Sequence, residues 1–288
     1  MAVAVGILNA LPSVQLCELL GRLGYGFVVL DLEHVLRAPD ELEHSIRACE
    51  LSGCEAWVRV PEVDEKLIGR VLDAGARGIV IPRAESAGQI ADAVAAARFP
   101  PLGRRGITGG RVTGFGNVDL PTYIAQANAN IRIVPMIESA AGVAALPEIL
   151  AIPGVALVME GALDLALDLG LGPQPTHPQV WQLLLQLHAQ CIAANVPFCP
   201  NPRTDAQRAH WLQQPELRWL LAGEDRALIQ RALRGHLASL AVPQSPPLQE
   251  HAVDVDVPFS RPGHRYRGEH ADAAAADARK RYADDRCA

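Results

Sequence analysis

The strongest constraint in this chain is an alternation. Short runs rich in β-branched residues are each followed by a longer stretch of helical character. The runs are Val3–Leu8, Phe27–Leu32, Ala56–Val60, Gly78–Ile81, Ile131–Ile137, Val155–Met159, Pro197–Cys199 and Arg218–Leu221. Most are nearly continuous in apolar residues, the pattern of strands buried on both faces of a parallel sheet. Helical stretches follow at Ser13–Leu23, Pro39–Leu51, Glu62–Ala74, Ser86–Arg98, Ala140–Leu150, His177–Ala194, Thr204–Gln213 and Asp225–Leu240. Pro39-Asp40, Thr204-Asp205 and Glu224-Asp225 sit where helix starts favour Pro, a cap or an acid. Eight strands alternating with about eight helices predict an α/β fold, a (β/α)8 TIM barrel over residues 1–241. A doubly wound open sheet is the alternative architecture.

Residues 101–130 are rich in Gly and Arg and carry no clear period. From about Val242 the chain changes to PQSPP, mixed charge and an Ala run, with little to bury. The expectation there is a largely flexible tail, 242–288. Charge narrows the function. Lys+Arg is 26 against Asp+Glu 32, a net charge of −6, which excludes the basic footprint of a nucleic-acid or anionic-membrane protein. The six cysteines form no CxxC pair and are too dilute for a secreted disulfide scaffold. No long apolar span and no charged n-region before an apolar run appear, so the expected location is cytoplasmic.

In a parallel barrel, chemistry sits at the C-terminal ends of strands. Ionisable residues gather at those ends here. They are Asp31-Leu32-Glu33-His34, Arg59, Arg83, Glu138, Glu160 with Asp164 beyond it, and Arg203. Glu138 and Asp164 follow successive strands and are the candidate ligands of an octahedral Mg²⁺ or Mn²⁺ completed by water and substrate oxygens. Either acid would serve equally as a helix cap, Asp164 above all. Histidine's ordinary titration range suits a general base, so His34 is a candidate, oriented by Asp31 or Glu33. A solvated surface histidine is its bland alternative. Arg59 could grip a carboxylate or an enolate oxygen with paired donors, or belong to a structural ion pair. Arg104, Arg105 and Arg111, within Gly103–Gly116, are candidate anion binders, with a plain surface loop as the alternative. GxGxxG, HExxH, GxSxG and the P-loop signature are all missing.

The motifs DLEH, WVRVP, LDAGARGIVIPRAES, ARFPPLGRRG, VPMIESAAGV and VMEGALDLALDLG follow one another in this order. In that order the sequence resembles the HpcH/HpaI aldolase family, which belongs with citrate lyase β-subunits and phosphoenolpyruvate-utilising barrels. The likeness runs from about Val5 to Cys199. It implies a (β/α)8 barrel, a divalent metal and carbon–carbon bond chemistry on a 2-oxo acid. It also implies a homo-oligomer, dimer to hexamer, with an exchanged C-terminal helix. By the resemblance, His34 is a base or proton relay paired with Asp31. Arg59 steadies the enolate or carbonyl oxygen. Glu138 and Asp164 hold the metal, and Asp73 reaches a neighbouring subunit's site. Gly161, Ala162, Arg83 and Arg203 fall at substrate-binding positions, and Arg104, Arg105 and Arg111 are candidates for the phosphates of CoA.

Two departures matter. Aldolases of the family usually carry Gln where this chain has Met136, and G-P-x-D-L-S where it reads Gly161-Ala162-Leu163-Asp164-Leu165-Ala166. With Glu160, Phe198-Cys199 and Pro202-Arg203, these resemble the citrate synthase branch of staphyloferrin-type siderophore pathways. That branch joins oxaloacetate to acetyl-CoA. A class II pyruvate aldolase acting on 4-hydroxy-2-oxo acids, and a non-catalytic barrel subunit, are the competing expectations.

Overall fold

Each of the eight apolar runs forms a strand in the structure, a computed structural model in which residues 2–240 are described. The strands are β1 (Ala4–Asn9), β2 (Phe27–Asp31), β3 (Glu55–Arg59), β4 (Gly78–Ile81), β5 (Arg132–Ile137), β6 (Val158–Glu160), β7 (Phe198–Cys199) and β8 (Trp219–Glu224). All pairings are parallel, in the order β7-β6-β5-β4-β3-β2-β1-β8. Across the remaining seam the Leu221 N–H donates to the Pro200 carbonyl at 2.9 Å. The sheet is thus a (β/α)8 barrel, and the open-sheet alternative falls. The expected tail, 242–288, lies outside the described residues.

The helices are α1 (Val14–Arg22), α2 (Pro39–Leu51), α3 (Glu65–Asp73), α4 (Ala87–Ala97), α5 (Leu120–Asn130), α6 (Ala140–Leu150), α7 (Ala162–Asp168), α8 (Pro178–Ala193), α9 (Asp205–Leu212) and α10 (Asp225–Ser239). Their starts follow capping chemistry. Ser13, Asp64, Ser86, Asp119, Ser139 and Thr204 each accept a backbone N–H of the first turn through the side chain. One helix was not anticipated, and a second was foreseen only as a helix that Asp164 could cap. The aperiodic stretch 101–130 ends in α5, capped by Asp119 with Pro121 in its first turn. The seven-residue α7 follows β6 directly and contains Asp164.

Alternation along the strands sorts side chains into two cores. Outward residues such as Val28, Val58, Ile79, Ile133 and Val158 pack against the helices. Inward residues such as Val29, Val80, Val134, Leu157 and Leu221 fill the barrel. Its N-terminal end is closed by aromatic rings. Phe27 stacks on Trp57 with centroids 4.1 Å apart, and Trp219 meets both rings at 5.5 and 5.1 Å. Glycine makes this possible. A Cβ at Gly6 would stand 2.2 Å from the Phe27 ring, and one at Gly78 2.6 Å from Trp57. Beside the rings, Arg132 grips Glu55 through two bonds of 2.9 Å and lies over Trp219.

Candidate functional site

Parallel register brings the C-terminal residues of β2 and β3 side by side, with Asp31 opposite Arg59. Arg59 donates from Nε to Asp31 Oδ1 and from Nη2 to Oδ2, both at 2.9 Å, and the pair is buried. Burial pushes Asp31 up. The guanidinium and the N–H groups of Glu33 and His34 more than offset this and hold it below the usual carboxylate range. Arg59 Nη1 lies 3.0 Å from Glu33 Oε2 and 3.9 Å from the Met136 sulfur. His34 Nε2 stands 3.7 Å from that same Glu33 oxygen. Asp31 therefore partners Arg59 through its carboxylate and meets His34 only at the backbone. The acid beside the imidazole is Glu33.

Glu138 directly follows β5 and is 2% exposed. The backbone N–H of Arg83, a residue held at φ 42°, donates to Glu138 Oε1 at 2.6 Å. Burial raises the Glu138 carboxyl to about 7, and the charges of Glu33 and Asp164 add to the rise, against the Arg83 N–H and Arg59. Glu33 is likewise raised, by burial first, with Asp31 and Asp164 adding to it against Arg59 and His34. Glu33, Glu138 and Asp164 thus feel one another's charge, with Arg59 as the nearby cation. An excess of carboxylate in a buried pocket is what a hard divalent cation neutralises. Gly161 makes room: a Cβ there would stand 2.4 Å from Glu138 Oε2. Among the described residues no cluster of three metal-ligating side chains forms. A cation held by Glu138 and Asp164 would take its other ligands from water and substrate. That donor set fits Mg²⁺ or Mn²⁺.

Ala162 is buried at the start of α7, and no side chain caps that helix. Asp164 lies half-buried in its first turn. The Arg83 guanidinium turns outward to Glu85 at 2.9 Å and Asp168 at 3.5 Å. Arg203 Nη1 bonds Glu160 Oε1 at 3.0 Å and the Asn201 carbonyl at 2.7 Å. Glu160 is buried, and its Oε2 has no partner.

The remaining candidates are not gathered at this rim. Asp73 ends α3, on the side where strands begin, and receives Arg105 Nη2 at 2.8 Å. Arg105 is buried beneath that contact and stacks on Phe99. Arg104 pairs with Glu65 and Asp92, and Arg111 with Glu50 and the Ala74 carbonyl. An anion loop at the catalytic rim is therefore not what these three arginines form.

A further polar group was not singled out from the sequence. Asn9, at the end of β1, donates to Asp225 at 2.6 Å and receives Arg37, which also bonds Glu41 and the Asp31 carbonyl. The network ties the ends of β1 and β2 to α10 and fixes the loop carrying Glu33 and His34. Its signal in the sequence was the polar Asn9 closing an otherwise apolar run.

A parallel barrel with acids and a paired arginine at its C-terminal rim has the layout of a barrel enzyme whose site suits a divalent cation. Residues 9–209 match the model of the HpcH/HpaI aldolase/citrate lyase family, and the chain belongs to that family. The family is made up of metal-dependent lyases, aldolases and citrate synthase-like enzymes, and generally uses a divalent metal. The 5-keto-4-deoxy-D-glucarate aldolase of Salmonella paratyphi A is 37% identical over 196 residues, covering 68% of this chain and 76% of that protein. The solved citrate synthase SbnG is similar at 33% identity and TM-score 0.76, over 83% of this chain and 93% of that one. The HpcH/HpaI aldolase from Desulfitobacterium hafniense DCB-2 matches at 29% identity and TM-score 0.77, over 85% and 95%. Among the described residues no helix is long and apolar enough to cross a membrane.

Proposed function

We propose that this chain forms or cleaves a carbon–carbon bond at a 2-oxo acid, and that its reaction is the condensation of oxaloacetate with acetyl-CoA, followed by attack of water on the thioester of the adduct to give citrate and free CoA. The Glu138 carboxyl, raised by burial first and by its acidic neighbours second, and seated against Gly161, carries the general reading. Glu138 and Asp164 would hold the divalent cation. When bound, that cation supplies Lewis-acid polarisation of the 2-oxo group. Arg59, locked by Asp31, presents a fixed positive charge to the oxygen that becomes an alkoxide. His34, exposed at the rim beside Glu33, accepts the proton from the acetyl methyl carbon, and Glu33 stabilises the resulting imidazolium. A homo-oligomer belongs to the same reading, supported by Leu233 and Leu237, which stand exposed on α10.

The condensation is supported by the likeness to SbnG over nearly its whole chain, and by Met136 at the position where aldolases carry Gln. The named aldolase relatives support a second reading, in which pyruvate supplies the enolate at the same residues. Thiol release from acetyl-CoA separates them. Oxaloacetate-dependent, EDTA-sensitive release is expected. Its absence, with metal-dependent pyruvate formation from a 4-hydroxy-2-oxo acid, would replace condensation by aldol cleavage. A siderophore role would follow from the first outcome together with siderophore synthetase genes beside this one.

A further inference from the structure

The β8 side of the rim carries a charged pair that the proposed chemistry leaves unused. Along β8, Trp219 and Leu221 pack into the barrel interior. Strict alternation would send Gly223 inward and Glu224 outward. A bulge intervenes. Gly6 pairs with Leu221, but Leu8, two residues on, pairs with Glu224, three residues on. Gly223 lies in the bulge at φ 88°, and a Cβ there would meet nothing, so the glycine serves the backbone and not the packing. Leu8 faces the barrel interior. The extra residue therefore turns Glu224 into the mouth, on the wall formed by β1 and β8.

Glu224 holds Arg226 at Nε. The Arg226 backbone is fixed, since its N–H donates at 2.7 Å to the buried Asp225, which also receives Asn9 and the Ala10 N–H. Its guanidinium is 53% exposed and feels the charge of Asp31 as well as of Glu224. The other arginines of this rim are committed. Arg59 is locked on Asp31, Arg37 is buried against Asn9 and Glu41, Arg83 turns outward, and Arg203 sits on the buried Glu160. Arg226 is held by one half-buried acid two residues away, and an exposed pair of this kind exchanges readily for another carboxylate. In the strand order β1 stands opposite β5, so this wall faces Glu138 across the mouth. On the reading that Glu138 and Asp164 hold a cation for a 2-oxo acid, we infer that Arg226 is the specificity-determining residue for a dicarboxylic substrate. It exchanges Glu224 for the carboxylate at the far end of that substrate.

The test is titration calorimetry on the full chain with Mg²⁺, comparing malate with lactate, which is malate without its far carboxylate. Wild type should bind malate about tenfold more tightly. Arg226→Ala should bring malate to the level of lactate and leave lactate unchanged, and Arg226→Lys should restore part of the preference. Glu224→Gln should tighten malate, a gain that a purely structural ion pair would not give. Both side chains are partly solvated, so folding should survive, which thermal melts check. In the thiol-release assay Arg226→Ala should raise KM for oxaloacetate with little change in kcat. If wild type shows no preference for malate, or Arg226→Ala keeps it, the inference falls whatever the fate of the condensation. If wild type releases no thiol, yet prefers malate and loses that preference in Arg226→Ala, the inference stands and the condensation falls.

Discussion

The two ends of this barrel each carry an arginine bonded twice to a carboxylate, at the same 2.9 Å, and they do different work. At the N-terminal end Glu55 and Arg132 are each about a third exposed, lean on Trp219 and balance one another. At the C-terminal end Asp31 and Arg59 are buried, and Glu33, Glu138 and Asp164 crowd the same space with negative charge. Geometry of the pair does not mark an active site. The uncompensated acid around it is what marks the candidate site, because such charge favours the binding of a cation. The first end closes the core, and the second gathers the charge on which the proposed reaction would draw.

Substitutions should separate the two ends, beginning with the largest effect. Glu138→Gln should cost on the order of 10³-fold in kcat/KM while the fold persists, measured in the thiol-release assay with circular dichroism alongside. Retained activity would refute the assigned metal ligand. Trp57→Ala should destabilise by about 3–5 kcal/mol, read by urea unfolding, since its ring is fully buried in the aromatic plug. Arg59→Ala should cost a similar 3–5 kcal/mol by stranding Asp31, and abolish activity as well. The matching change at the other end, Arg132→Ala, should cost only about 1 kcal/mol and leave kcat unaltered, because that pair is solvated. Equal losses from the two arginine variants would erase the distinction.

pH should sharpen it further. Glu138 is raised to about 7, so the metal-free folded state holds its proton more tightly than the unfolded chain. Stability contributed by this group is therefore present at low pH and declines as pH rises from the ordinary carboxylate range towards 7. A divalent cation competes with that proton. Its stabilising effect on Tm is expected to be larger at pH 8 than at pH 6 and to vanish in Glu138→Gln. A pH-independent gain would place the cation elsewhere.

The barrel was legible because doubly buried strands are written as uninterrupted apolar runs, and the rim because those runs end in ionisable residues. Local signals also failed in local ways. The start of the short α7 was misplaced, since β6 passes into it through Gly161 alone and puts Asp164 inside the first turn and not at its cap. The residues alone leave Asp31 or Glu33 as the partner of His34 and the resemblance points to Asp31; Glu33 is the acid beside the ring, and the Asp31 carboxylate is taken by Arg59, 28 residues away. The arginines of Gly103–Gly116 looked like an anion loop because their partners Glu50, Glu65, Asp73 and Asp92 come from other elements. Periodicity reports which side of an element is buried. It carries no information on which distant charge will meet it.

Gly6 and Gly78 have a meaning for anyone who redesigns this scaffold. Each surrenders its own side-chain volume to a ring on the adjacent strand, so the glycine and the ring behave as one two-position letter. A library that randomises Trp57 alone will return mostly cavities, and one that randomises position 78 alone mostly clashes. Varied together, the two positions can trade volume across the strand boundary, opening a route through sequence space that single-site scanning would record as closed.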